Sequence, residues 1–150
     1  MTKTKISDLG SSVCVDDQNE KMIPALGNGA AIPGELCAVD PANGRVIGTK
    51  VAGNGNEVFS GILMESKITG TETAIVTDIP CKLVVPKSGH GYRIRCNVVA
   101  AADDPVGTGV TFSATDGKAE TTDTTLLLSF IGQLALEAVI NDTVAEVNWK

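Results

Sequence analysis

An all-β domain with one closed or wrapped sheet and an extended N-terminal arm is the fold class this sequence predicts. Three observations predict it. The first is the stretch Leu126 to Val147, which reads as an apolar strand, a turn at Asn141-Asp142 and a second strand. Much of it has an earlier counterpart in Val58 to Val76, where Phe59-Ser60-Gly61 answers Phe130-Ile131-Gly132 and Thr73-Ala74-Ile75-Val76 answers Thr143 to Val147. A strand-turn-strand unit used twice suggests that the last strands return to the middle ones. The second is composition. Hydrophobic residues make up 43% of the chain but aromatic residues only 3%, so the core must rest on Val, Ile, Leu and Ala. The β-branched members of that set favour strands. The third is the 16 glycines, which fall mostly where apolar runs break and suit many short strands joined by tight turns.

At 150 residues the chain fits one domain plus an arm, with the division expected at 1–30 and 31–150. Residues 1 to about 30 lack sustained periodicity. Val13-Cys14-Val15 is a short apolar island between Ser11-Ser12 and Asp16-Asp17-Gln18-Asn19-Glu20. Two readings stand: a frayed terminus, or an arm that orders against a partner, by strand addition for example. In the second, Ile6, Leu9, Val13, Val15, Met22 and Ile23 are the apolar contact residues.

From Pro33 the pattern sharpens. Gly34 to Val39 and Arg45 to Val51 form a hairpin around Asp40-Pro41-Ala42-Asn43-Gly44, with Pro presetting φ and Asn-Gly supplying positive φ. Gly53-Asn54-Gly55-Asn56 is a loop, and Val58 to Met64 is the next strand. Thr73 to Ile79 alternates and is expected as a strand ended by Pro80. Cys81 to Val85 is another strand, and Lys87 to Gly91 a loop. Tyr92 to Val98 alternates most clearly, with Tyr92, Ile94, Cys96 and Val98 expected inside and Arg93, Arg95 and Asn97 outside. Gly109 to Thr115 is a strand, Asp116-Gly117 a hairpin turn, and Thr121 to Thr125 a polar loop. No convincing helical pattern of ten residues appears.

Net charge is −6 and the only basic cluster is Arg93 with Arg95, which argues against a nucleic-acid partner. Met1 to Lys5 lead into Ile6 without an apolar core, so no secretory signal is expected. No apolar run reaches the roughly 18 residues of a membrane span, so none is expected. The widely spaced Cys14, Cys37, Cys81 and Cys96 are expected to be reduced, buried and small-apolar in behaviour.

Chemistry is hard to place on these residues. His90, the only histidine, lies between two glycines with no nucleophile motif elsewhere, and reads as a turn residue. The 53–56 loop enters a strand rather than a helix and lacks the lysine of a phosphate cradle. Neither Asp16-Asp17 nor Asp103-Asp104 has calcium-loop spacing, and the cysteines lack zinc-site spacing. Glu65 and Glu137 occupy matching places in the two echoed units. They read as strand-end corners rather than as a carboxylate pair for acid–base work. No catalytic residue, metal or cofactor is expected, and an enzyme is the weakest of the functional classes.

The order of features nevertheless resembles a known family. A Pro33-Gly34-Glu35 strand opening, a hairpin, Phe59-Ser60-Gly61-Ile62, Val-rich strands with glycine turns, and Ile131-Gly132-Gln133-Leu134-Ala135-Leu136-Glu137-Ala138 resemble the head decoration, or capsid cement, proteins of tailed bacteriophages and related viruses. A closing I-G-x-A-L-E-A strand before a short turn and a V-x-V strand is common there. Leu134 adds one residue to that pattern. The resemblance spans about Pro33 to Asn148. It implies a small β-barrel or β-tulip domain, made in the host cytoplasm, that binds the major capsid protein as a homotrimer on the outer surface of the virion. Its place there is at three-fold and quasi-three-fold positions, where it resists the pressure of packaged DNA. No active site, cofactor, nucleic acid or membrane contact is implied. A tail or fibre module that binds a receptor or glycan is the alternative, and its mark would be exposed aromatics lining a groove. Trp149 has two readings, a subunit-interface anchor or a cap on the core.

Overall fold

The computed structural model describes residues 5–10, 12–16, 19–49, 59–97, 104–113, 115, 117–122, 130–138 and 143–150. Among them the regular elements are one 3-10 turn at Ile6–Asp8 and ten strands in two five-stranded antiparallel sheets. No helix among them is long and apolar enough to cross a membrane.

The first half of the chain builds one sheet from β1 (Lys21–Leu26), β2 (Leu36–Val39), β3 (Val46–Gly48), β4 (Gly61–Leu63) and β5 (Pro80–Val85), in the order β1-β5-β4-β2-β3. The second half builds the other from β6 (Gly91–Arg95), β7 (Gly109–Phe112), β8 (Ala119–Thr122), β9 (Phe130–Leu134) and β10 (Val144–Trp149), in the order β6-β10-β9-β7-β8. Neither sheet closes into a barrel, but each curls until its outer strands touch. Strands alternate in direction, so the first and fifth run the same way and can meet only in parallel. They do so at single parallel bridges, Leu26 with Arg45 and Cys96 with Ala119. The all-β class expected from the sequence holds, with two wrapped sheets in place of one.

The middle of the first sheet is buried on both faces, and its sequence shows why. Leu36-Cys37, Ile62-Leu63 and Leu83-Val84 are adjacent pairs with every member buried. Successive strand residues point to opposite faces, so such runs need cover on both sides. Cys37, Leu63 and Leu83 pack with Ala25, Ala31, Val46 and Ile75 inside the curl. Leu36, Ile62 and Val84 point the other way, into a larger core shared with the second sheet, where Tyr92, Ile94, Ile131, Leu134 and Val147 sit.

The hairpin at 40–44 forms as expected: β2 pairs with β3, Gly44 has φ of 75°, and its amide donates to Asp40 O at 2.8 Å. Several expectations need correcting. Residues 73–79 form turns and bends rather than a strand, and Asp78 takes a left-handed φ of 65° that breaks any ladder there. Thr121 and Thr122 belong to β8 rather than to a loop. Arg95, expected outside, is 5% exposed, because the chain around Pro33 and Thr71 covers that face of β6.

The largest correction concerns the arm. β1 lies within residues 1–30 yet pairs with β5 along its whole length, from Lys21 opposite Val85 to Leu26 opposite Pro80. Pro24, which weakens the strand signal, is tolerated because β1 is an outer strand of its sheet with one full-length partner. The segment before it is also tied down. Cys14 bridges to Tyr92 beside β6, and Ile6 and Val13 are fully buried in the shared core. The fold therefore starts well before residue 31.

Candidate binding surface

An apolar groove of about 710 Å³ opens on the first sheet, between the turn after β4 and the chain entering β5. Local sequence builds both walls. Ser66 and Gly70 exchange backbone hydrogen bonds, and the Ser66 hydroxyl accepts the amides of Ile68 and Thr69. That tight turn leaves Ile68 at its tip, 92% exposed. Opposite, Ile79 donates its amide to Val76 O, while Asp78 is held by Gly27 O through its amide and by Arg45 through its carboxylate. The turn presents Val76, 59% exposed, and Ile79 to solvent. Met22 and Met64 line the groove, and the exposed Lys67 and Lys82 border it. Solvent-facing apolar side chains clustered in a concavity mark contact sites more often than scattered ones do.

The residues expected to meet a partner through the arm are placed differently. Ile6 and Val13 are core residues of their own chain, and Leu9 and Met22 pack against that core. Ile23 packs on the smaller core, and Val15 alone of the six is exposed. Carboxylates fasten the segment. Glu65 accepts the Ser12 hydroxyl at 2.8 Å and the Val13 amide at 3.0 Å. Glu72 accepts the Ile6 amide at 3.1 Å and pairs with Arg95 at 3.0 Å. Arg93 bonds Ser12 O at 2.8 Å and Glu146 at 3.1 Å. Burial pushes the Glu72 carboxyl up, but hydrogen bonds from Arg95, Thr71 and the Ile6 amide outweigh it and hold the group below its ordinary value. Glu65 and Glu137, matched in the sequence echo, do different things: Glu65 holds the N-terminal segment, whereas Glu137 is exposed beyond β9.

Trp149 stacks on Phe59 with ring centroids 5.6 Å apart and meets Tyr92 edge-on at 6.1 Å. Phe112 meets Phe59 edge-on as well. This aromatic cluster sits against the shared core, the arrangement of a cap.

His90 is not isolated. Its Nδ1 lies 2.7 Å from Glu20 Oε1, and Tyr92 donates its hydroxyl to Glu20 Oε2 at 2.8 Å. The Glu20 side chain is only 3% exposed. The carboxylate ties the end of the N-terminal segment to the start of β6. No local pattern signals this contact, since Glu20 and His90 are seventy positions apart. None of the four cysteines forms a disulfide; Cys14, Cys37 and Cys96 are buried and Cys81 is half-buried. Among the described residues, no three of His, Cys, Asp or Glu gather where a metal could be held. The 53–56 loop, Val98, Asp17, Asp103, Asp116 and the Asn141-Asp142 turn lie outside the described residues. No model of a known protein family matches this chain, and no curated protein matches it either.

Proposed function

We propose that the chain is a non-enzymatic structural protein of a virion. In this reading it binds the major capsid protein on the outer surface of an icosahedral capsid, as a homotrimer at three-fold and quasi-three-fold positions. It stabilises the shell against the pressure of packaged DNA. The supporting observation is the run Ile131 to Ala138 and its setting. This run carries the resemblance to head decoration proteins, and its first four residues form most of β9, which pairs with the C-terminal β10 in an all-β chain. The alternative, a tail or fibre module that grips a receptor or glycan through aromatics, has less support. Phe59, Tyr92, Phe112 and Trp149 pack on one another rather than lining a groove.

The test is co-sedimentation of the full chain with expanded capsids that lack it. Saturable pelleting at a fixed ratio of decoration protein to major capsid protein is expected, with the bound shells surviving heating that ruptures bare ones. No pelleting with the shell, or pelleting without added resistance, overturns the reading. The full chain is required, because Ile6 and Val13 belong to its own core and deleting the arm would disturb the fold.

A further inference from the structure

A second exposed apolar patch lies on the other half of the chain. The turn at 105–108, closed by the Thr108 amide and hydroxyl on Pro105 O, carries Val106 at its tip, 62% exposed. Backbone bonds hold this turn against the chain that leaves β9: Gly107 donates to Leu134 O, and Asp104 and Ala138 bond reciprocally. Leu136, also exposed, lies between those two anchor points, next to the exposed Glu137. The result is an apolar projection flanked by the carboxylates of Glu137 and of Asp104, which accepts the Thr121 hydroxyl. The first sheet carries an apolar groove rimmed by Ile68 and Val76 and bordered by Lys67 and Lys82, with one carboxylate in its wall, Glu65, turned inward to Ser12 and Val13.

We infer that copies of this chain associate head to tail, the Val106–Leu136 projection of one copy seating in the Ile68–Val76 groove of the next. Three properties match. The groove is concave and the projection is a turn tip. Both are apolar at the centre. The groove carries Lys67 and Lys82 against the single carboxylate of Glu65, and the projection carries Asp104 and Glu137. The last match matters because each copy carries a net charge of −6, so copies repel at long range. A contact that sets lysines against acids offsets that repulsion locally and disfavours groove against groove. Because the two surfaces differ, the contact is heterologous, and a finite assembly requires the rotation to close into a ring. This deepens the self-assembly of the proposed reading and rests on it only for the number of copies.

Sedimentation velocity of the full chain without capsids tests the inference, using Ile68→Glu and Val106→Glu, both at exposed positions. The wild-type chain is expected to sediment at a multiple of the 15.5 kDa single-chain mass. Each variant alone is expected at the single-chain mass. An equal mixture of the two is expected to form two-chain complexes, because the intact groove of Val106→Glu can take the intact projection of Ile68→Glu. A misfolded variant could not give that rescue. A wild-type chain that stays single, variants that keep the wild-type mass, or a mixture that stays single each overturn the inference. Capsid co-sedimentation is read separately, so failure here leaves the proposed function to its own test.

Discussion

Tyr92 donates its phenolic hydrogen to Glu20 at 2.8 Å, joining the first strand of the second sheet to the residue just ahead of β1. The other oxygen of the same carboxylate meets His90, and the Tyr92 hydroxyl in turn accepts the Lys87 amide at 2.8 Å. Removing this carboxylate leaves a buried phenol with no acceptor. Glu20→Ala is therefore expected to lose about 1–3 kcal/mol of stability. Glu20→Gln, which keeps an acceptor for the phenol, should lose less. Urea denaturation of the three proteins measures both.

Alkaline pH should weaken the fold. Burial pushes the Cys37 thiol and the Tyr92 phenol up from their ordinary values. Both groups stay protonated in the folded chain while the unfolded chain ionises, so the unfolded state binds fewer protons and stability falls as pH rises. The stability is fully present below the unfolded values, about 8.5 for the thiol and about 10 for the phenol, and is lost progressively above them. Melting temperature against pH should show the decline, and Cys37→Ala should flatten its lower part.

Acid should loosen the N-terminal segment. The Glu72 carboxyl sits below its ordinary value, so its contribution is present above the unfolded value, roughly 4.3, and is lost as pH falls through the lower folded value. Hydrogen exchange at the Ile6 amide is expected to speed up in that window. Glu72→Gln should speed it at neutral pH and remove most of its acid dependence. Unchanged Ile6 exchange in the variant would show that the carboxylate does not hold the segment.

Gly132 is required by a close approach. A Cβ there would lie 2.1 Å from Asn148 O on β10, and the obstacle is backbone rather than a movable side chain. Gly132→Ala should cost about 1–3 kcal/mol, the range for overpacking a tight site, and should separate β9 from β10 near Trp149, which pairs with Gly132. Amide chemical shifts confined to those two strands would locate the damage.

Trp149 lies against Phe59 and Tyr92 of its own chain. Its fluorescence is expected to stay unchanged on dilution, even where the sedimenting mass falls. Trp149→Ala should destabilise the single chain by about 3 kcal/mol, the lower end for large aromatics because the ring is only partly buried.

Some of this was legible in the sequence. Period-two alternation placed Tyr92, Ile94 and Cys96 on the inner face, and Asp40 to Gly44 announced their hairpin through turn chemistry. What failed has physical causes. Arg95 reads as a solvent residue because local alternation cannot show that residues near 33 and 71 lie over it. Thr73 to Ile79 alternates like a strand, but the backbone turns at Asp78, whose carboxylate is drawn to Arg45 from a distant hairpin. The N-terminal segment has little periodicity because side-chain carboxylates, rather than a long ladder, hold much of it. The groove was invisible for a related reason: Ile68 and Val76 come from separate turns, and only the fold makes them neighbours.

The Cys14–Tyr92 bridge belongs to a cover over the outer edge of β6, where Arg93 donates its amide to Val13 O, Val15 to Gly91 O and Arg95 to Gly34 O. An incoming peptide would find few amides and carbonyls to zip onto along that margin, which guards it against fibrous growth. A partner on that side must be held by side chains, so selectivity there should respond to single substitutions in a way that generic strand addition would not.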